Sequence, residues 1–221
     1  MSETTRRRLA AIVSADVVGY SRLMGVDEVG THARLKANYS DLVEPKIAAH
    51  EGRVVKLMGV GLLAEVPDAV NAVEWALDLQ TRVASGNDDI PRDQRIEYRV
   101  GVNLGDIIVD GDDIFGDGVN VAARLQEIAE LGGIAISGNV QEQIRDKLDF
   151  AFFDHSMCEM KNIARPVHVW RWSPGGASET APKADADPLP LPDKPSIAVL
   201  PFDNMTGDPD QEYFPTAFPK I

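Results

Sequence analysis

From Leu9 to Leu104 the chain alternates apolar runs and helical spacings in one order: strand, helix, strand, strand, helix, strand. Leu9–Ala15 is a short apolar run and reads as a buried strand. Asp27–Ala49 has helical spacing, with Leu35, Tyr39, Leu42 and Val43 on one side and Pro45 as a break or kink. Arg53–Leu57 and Leu62–Val66 read as a hairpin through the Gly59–Gly61 turn. Asp68 is the expected N-cap of a helix reaching Val83, with Ala69, Val73, Ala76, Leu77 and Gln80 in register. After the polar loop Ser85–Pro91, strands are expected at Ile96–Leu104 and Ile107–Val109, on either side of Gly105. The pattern then gives a helix at Gly118–Ala129, a strand at Ile134–Ser137, a helix at Val140–Leu148 and two strands ending near Trp172.

This order is that of an α+β, ferredoxin-like βαββαβ core with appended strands and helices. The plan hosts unrelated functions, so it carries little functional weight alone. Residues 1–7 are expected to form a solvated arm, with Arg6-Arg7-Arg8 exposed. The segment 174–195 is rich in Pro, Ala and Asp and reads as a linker. The 26 residues 196–221 that follow are too few for a core of their own. A formal net charge of -13 argues against a nonspecific nucleic-acid binder, which needs a basic face. No apolar window approaches the length of a membrane span. Cys158 is the only cysteine, which excludes a disulfide framework and fits a cytoplasmic setting. His32, His50, His155 and His168 are not spaced as a metal site.

The most informative segment is Asp113-Ile-Phe-Gly-Asp-Gly-Val-Asn-Val-Ala-Ala-Arg124. Asn120 and Arg124 are four residues apart, so on a helix they share a face. Gly116 and Gly118 open that face and permit close backbone approach. A carboxylate, an amide and a guanidinium beside a glycine loop suit a nucleotide: arginine for phosphate, acid for an exocyclic amine. The plainer alternative is an exposed helix face with Arg124 paired to Glu127 or Glu130.

This segment resembles the catalytic domain of class III nucleotidyl cyclases. Arg8–Ser21 looks like the family's first metal strand and loop, and Gly52–Gly59 like its second strand. Glu159–Trp170 looks like its closing strand pair. Together these cover residues 8–173 as a catalytic domain, and Ser196–Pro209 resembles the start of a TolB-like region. The resemblance implies conversion of ATP to 3′,5′-cyclic AMP and pyrophosphate, with Mg²⁺ or Mn²⁺ as cofactor. It implies Asp16 as a metal ligand and the amides of Val17, Val18, Gly19, Tyr20 and Ser21 as a phosphate cradle. It implies Lys56 and Asp113 as the base-reading pair, with Asp112 as a rival acid. Asn120 would orient the ribose and Arg124 would stabilise the transition state. The last phosphate-binding cation would be Lys161 or Arg165. The family shares its site between chains, so a homodimer with composite sites, or a heterodimer with another cyclase chain, is expected. One departure stands out. Val60 occupies the turn position of the second metal carboxylate, and valine offers no oxygen to a hard cation. The alternative to an active cyclase is therefore a silent nucleotide-binding or regulatory module acting through dimerisation.

Overall fold

A computed structural model describes residues 6–174. Residues 1–5 of the expected arm, the expected linker after residue 174 and the 196–221 segment lie outside the described residues. The chain begins with β1 (Arg6–Val17), followed by α1 (Tyr20–Val26), α2 (Glu28–Asn38) and α3 (Glu44–Ala49). Strands β2 (Arg53–Met58) and β3 (Gly61–Val66) form the expected hairpin. Then come α4 (Ala69–Gly86), β4 (Tyr98–Asp110), β5 (Asp113–Phe115) and α5 (Asp117–Ile128). The domain closes with β6 (Ile134–Ser137), α6 (Gly138–Ile144), β7 (Phe153–Cys158) and β8 (Val167–Trp172). The sheet has eight strands in the order β2-β3-β1-β4-β6-β8-β7, with β5 paired to β4. Its first four strands are the βαββαβ core, with β1 central and antiparallel to both β3 and β4.

Alternation along β1 divides the core in two. Ala11, Val13, Ala15 and Val17 join the apolar cluster that holds residues of α1, α3, α4 and α6. Ala10 and Ile12 face the other way, into a smaller cluster with Leu63, Ile107 and Ala122 of α5. Among the described residues α5 is the helix of that second face. Asp68 caps α4 as expected, its side chain accepting from the Asn71 N–H at 3.0 Å.

Helix α1 and strand β5 are not expected from the sequence pattern, and the structure departs from it in four further places. The span read as one helix, Asp27–Ala49, is α2, a π-helical turn at Tyr39–Val43, and α3. Pro45 sits in the first turn of α3, and the Glu44 N–H donates to Tyr39 O, five residues back. A proline within a helix clashes with the carbonyl four residues earlier, and a widened turn relieves this. The strands expected on either side of Gly105 are one continuous β4. Arg6 and Arg7, expected in the arm, pair with Val109 and Ile108 of β4, their side chains exposed. The closing strand pair is β7 with β8, so Glu159–Pro166 is the connection between them and not a strand.

Helix α5 lies directly on β4 at Gly101. A methyl group there would overlap the Ala122 carbonyl oxygen and the Gln126 nitrogen. Gly101→Ala should therefore lift α5 off the sheet and destabilise the domain by about 2–3 kcal/mol, the usual cost of overpacking. Urea unfolding measures this, and an unchanged midpoint would contradict the close packing.

Candidate functional site

Lys56 lies on β2 and Asp113 on β5, far apart in sequence, and the fold brings them together. Lys56 Nζ donates to both carboxylate oxygens of Asp113 at 2.8 Å. The hairpin of β4 and β5 turns at Gly111, whose φ is 58°, and delivers Asp113 to β2. The Asp113 carboxylate also accepts from the Ile114 N–H at 2.7 Å. The hydrogen bond from Lys56 is the main reason that its pKa lies below the usual carboxylate range, with Ile114 and the Arg53 charge adding to it. Lys56 Nζ sits 5.4 Å from the centre of the Phe115 ring. Both partners keep over a third of their side-chain surface exposed, 38% and 36%. Leu57, Met58 and Phe115 on the same strands are exposed, and of these Phe115 lies beside Lys56. Asp112 offers its carbonyl, not its carboxylate, to this region, accepting from Arg53 Nη1 at 2.8 Å.

Asp16 ends the even-numbered row of β1 that includes Ile12, on the α5 face. The register opposes Ser14 to Leu63 and Leu63 to Lys56, so Lys56 shares that face. Asp16 stands against the β2–β3 turn, where a side chain at Gly61 would place its Cβ 2.9 Å from Asp16 Oδ1. Burial pushes the Asp16 carboxyl above its usual range, opposed by the Val17 backbone hydrogen bond and the Arg99 charge. Arg99 is the cross-strand partner of Asp16, and its Nε is buried without a hydrogen-bond partner. Sequence reasoning missed Arg99. Its only signal is the pairing register, which a linear reading does not contain.

The expected phosphate cradle is partly committed elsewhere. Val17 is a buried strand residue, and the Val18 N–H donates to Glu97 O at 2.9 Å. Gly19 turns the chain with φ 67°, and α1 starts at Tyr20, so Tyr20 and Ser21 belong to its first turn. Their amides are the ones that a helix start leaves unpaired.

On α5, Asn120 is exposed one turn before Arg124. Arg124 Nη1 pairs with Glu127 Oε1 at 2.5 Å, and its Nε donates to Lys161 O at 3.3 Å. The plainer helix-face pairing to Glu127 is thus present, and α5 is tied to the connection before β8. Lys161 and Arg165 are both exposed in that connection.

The donors do not fit a two-carboxylate metal centre. Among the described residues no group of three or more His, Cys, Asp or Glu side chains is placed to hold a metal ion. Val60 is half-buried and packs against the helix-side apolar cluster. It fills its turn position with hydrocarbon, leaving Asp16 as the one carboxylate against the turn.

The eight-stranded sheet and the helix crossing it define an α+β domain on a βαββαβ core. The adenylate and guanylate cyclase catalytic domain profile matches residues 10–171. The chain belongs to that family, the class III nucleotidyl cyclases. It is 54% identical to a putative adenylate cyclase 3 of Rhizobium meliloti across 96% of this chain and 36% of that protein. It is 32% identical to an adenylate cyclase of Streptomyces coelicolor over 64% of this chain and 35% of that one. The chain thus spans about a third of the length of these curated relatives. An adenylate/guanylate cyclase/hydrolase structure from Silicibacter pomeroyi superposes with a TM-score of 0.74 at 43% identity, covering 77% of this chain and 99% of that one. No helix among the described residues is long and apolar enough to cross a membrane.

The raised pKa of Asp16 has a measurable sign. Its ionised form is disfavoured in the fold, a penalty present above the ordinary carboxylate pKa and absent once both states are protonated. Asp16→Asn should therefore raise the thermal midpoint at pH 7, a gain that shrinks as pH falls through the raised Asp16 pKa and is gone by about pH 4. A variant less stable than the parent at pH 7 would contradict the burial assigned to Asp16.

Proposed function

We propose that the domain is an adenylate-cyclase-type module that binds ATP in a site shared between two chains. It contributes a complete nucleotide half and an incomplete metal half. On its own it forms 3′,5′-cyclic AMP and pyrophosphate at most slowly. The observation that carries this reading is the preformed Lys56–Asp113 pair beside an intact α5 face.

The pair can read adenine without coming apart. The ammonium of Lys56 has three N–H donors, and two bonds to Asp113 leave one for a ring nitrogen. Asp113 keeps acceptor capacity for the 6-amino group, and its lowered pKa keeps it ionised at neutral pH. A guanine oxygen at the same position would face a carboxylate, so ATP is favoured over GTP. Arg124 is free to move to phosphate at low cost. Its bond to Glu127 is a surface i,i+3 pair, of the kind worth about 0–1 kcal/mol. The ribose 3′ oxygen attacks the α-phosphorus, Asn120 orienting the ribose and Arg124 meeting the charge that develops on phosphate. Arg99 supplies a second cation beside Asp16 on the metal half.

The shared site rests on the family resemblance and on the exposure of the pair. The partner is a second copy or another cyclase chain, and Mg²⁺ or Mn²⁺ is the matching ion class. A cytoplasmic setting accords with the single cysteine and with ATP as substrate. The packing of Val60 favours a second reading, a silent nucleotide-binding or regulatory module that acts through dimerisation.

One substitution separates the two. With Mn²⁺ or Mg²⁺, Val60→Asp should raise cyclic AMP formation by about 10²–10³-fold, the scale of one preorganised electrostatic group. If the variant folds, binds nucleotide and forms no more product than the parent, the cyclase reading of this chain fails.

A further inference from the structure

Among the described residues one acid, Glu65, lies in the buried core. Glu65 on β3 is 5% exposed. It stands opposite Arg53 on β2 and Ile12 on β1. Its Oε1 accepts from Arg8 Nη2 at 2.5 Å and from Arg53 Nε at 2.6 Å. Its Oε2 is buried with no hydrogen-bond partner. A buried carboxylate with one oxygen unsatisfied is a costly device, which an apolar residue of similar size would avoid. The geometry around it gives a reason for its presence.

Arg53 has two ends at work. Its Nε is held by Glu65, while its Nη1 donates to the carbonyl of Asp112 at 2.8 Å. Asp112 precedes Asp113, whose carboxylate holds Lys56. A continuous line of contacts thus runs from the buried Glu65 through Arg53 to the Asp112 backbone and on to the Lys56–Asp113 pair. The hairpin needs such a tie. Strand β5 has only three residues and pairs only with β4, through Asp110–Asp113, Val109–Ile114 and Ile108–Phe115. Nothing in that ladder fixes its distance from β2, which carries Lys56.

We propose that Arg53, locked by Glu65, is a positioning residue that sets the height of Asp113 over β2 and so the base selectivity of the site. This rests on the reading of Lys56 and Asp113 as the base-reading pair. The planar guanidinium reaches two acceptors in fixed directions at once, which a lysine ammonium on a flexible stem does not reproduce. The Arg8 side chain shares the Glu65 oxygen, but it is Arg53 that reaches the Asp112 carbonyl, so Arg8 serves as an internal control.

The test is titration calorimetry of ATP and GTP on the full chain, with urea midpoints confirming that each variant is folded. The parent should prefer ATP by about 10–100-fold, and Asp113→Ala should remove most of that preference. Arg53→Lys keeps the charge but loses the fork, and should cut the preference to within about 3-fold. Arg53→Gln gives a second, uncharged version of the same loss. Arg8→Lys should keep the parent's preference. If Arg53→Lys and Arg53→Gln keep the parent's ratio while Asp113→Ala loses it, the positioning role is overturned and the base reading survives. Equal losses in Arg8→Lys and Arg53→Lys would also overturn it, since the effect would then not run through Asp112. Equal affinity for ATP and GTP in the parent removes the base reading and this role with it.

Discussion

The antiparallel register between β1 and β4 runs the full 12 residues of β1, from Arg6 opposite Val109 to Val17 opposite Tyr98. Because side chains alternate, that register sorts the strand into an odd row, buried under helices from Ala11 onward, and an even row on the α5 face. It puts Asp16 opposite Arg99 and sets the strand end against the β2–β3 turn. A slip of one residue would send Asp16 into the helix-side core and Val17 into the cleft. The apolar row Ala11, Val13, Ala15 and Val17 makes that slip costly. Core packing and site geometry are therefore one constraint met twice.

Two carboxylates on this scaffold are pushed in opposite directions. Asp113 is lowered, chiefly by the Lys56 hydrogen bond, and Asp16 is raised, chiefly by burial. An acid held ionised beside a cation is suited to accepting a base amine. An acid desolvated against a turn that offers no second carboxylate gains most from any cation brought to it. Divergent environments of this kind mark different roles for chemically identical groups. Val60 packs against the helix-side cluster and offers the turn no oxygen donor.

Much of this was legible in the sequence. Strand β6, the β2–β3 hairpin and the Asp68 cap follow from local pattern and capping chemistry alone. The spacing of Asp113, Asn120 and Arg124 is visible in the sequence, the resemblance adds Lys56, and the fold places Lys56 and Asp113 in contact. The misses have physical causes. Gly105 reads as a break, yet it lies inside β4 where a Cβ would meet the Gly118 Cα at 3.3 Å, so its job is close approach of α5. Helix α1 is seven residues long, too short to show periodicity. The π turn before Pro45 is a response to a clash, visible only in three dimensions. Arg99 and the Glu65–Arg53 tie depend on cross-strand pairing, which joins residues that are not neighbours in sequence.

In the proposed function one chain holds an intact nucleotide half and a metal half missing one carboxylate. Mixing tests it most directly. The parent is combined with a Val60→Asp/Arg124→Ala chain, and cyclic AMP formation is followed after subunit exchange is confirmed. One of the two sites in the mixed dimer then joins both carboxylates to an intact Arg124. The account expects the mixture to exceed the sum of the separate chains by at least about 10-fold. A mixture no more active than that sum, with exchange confirmed, would contradict it.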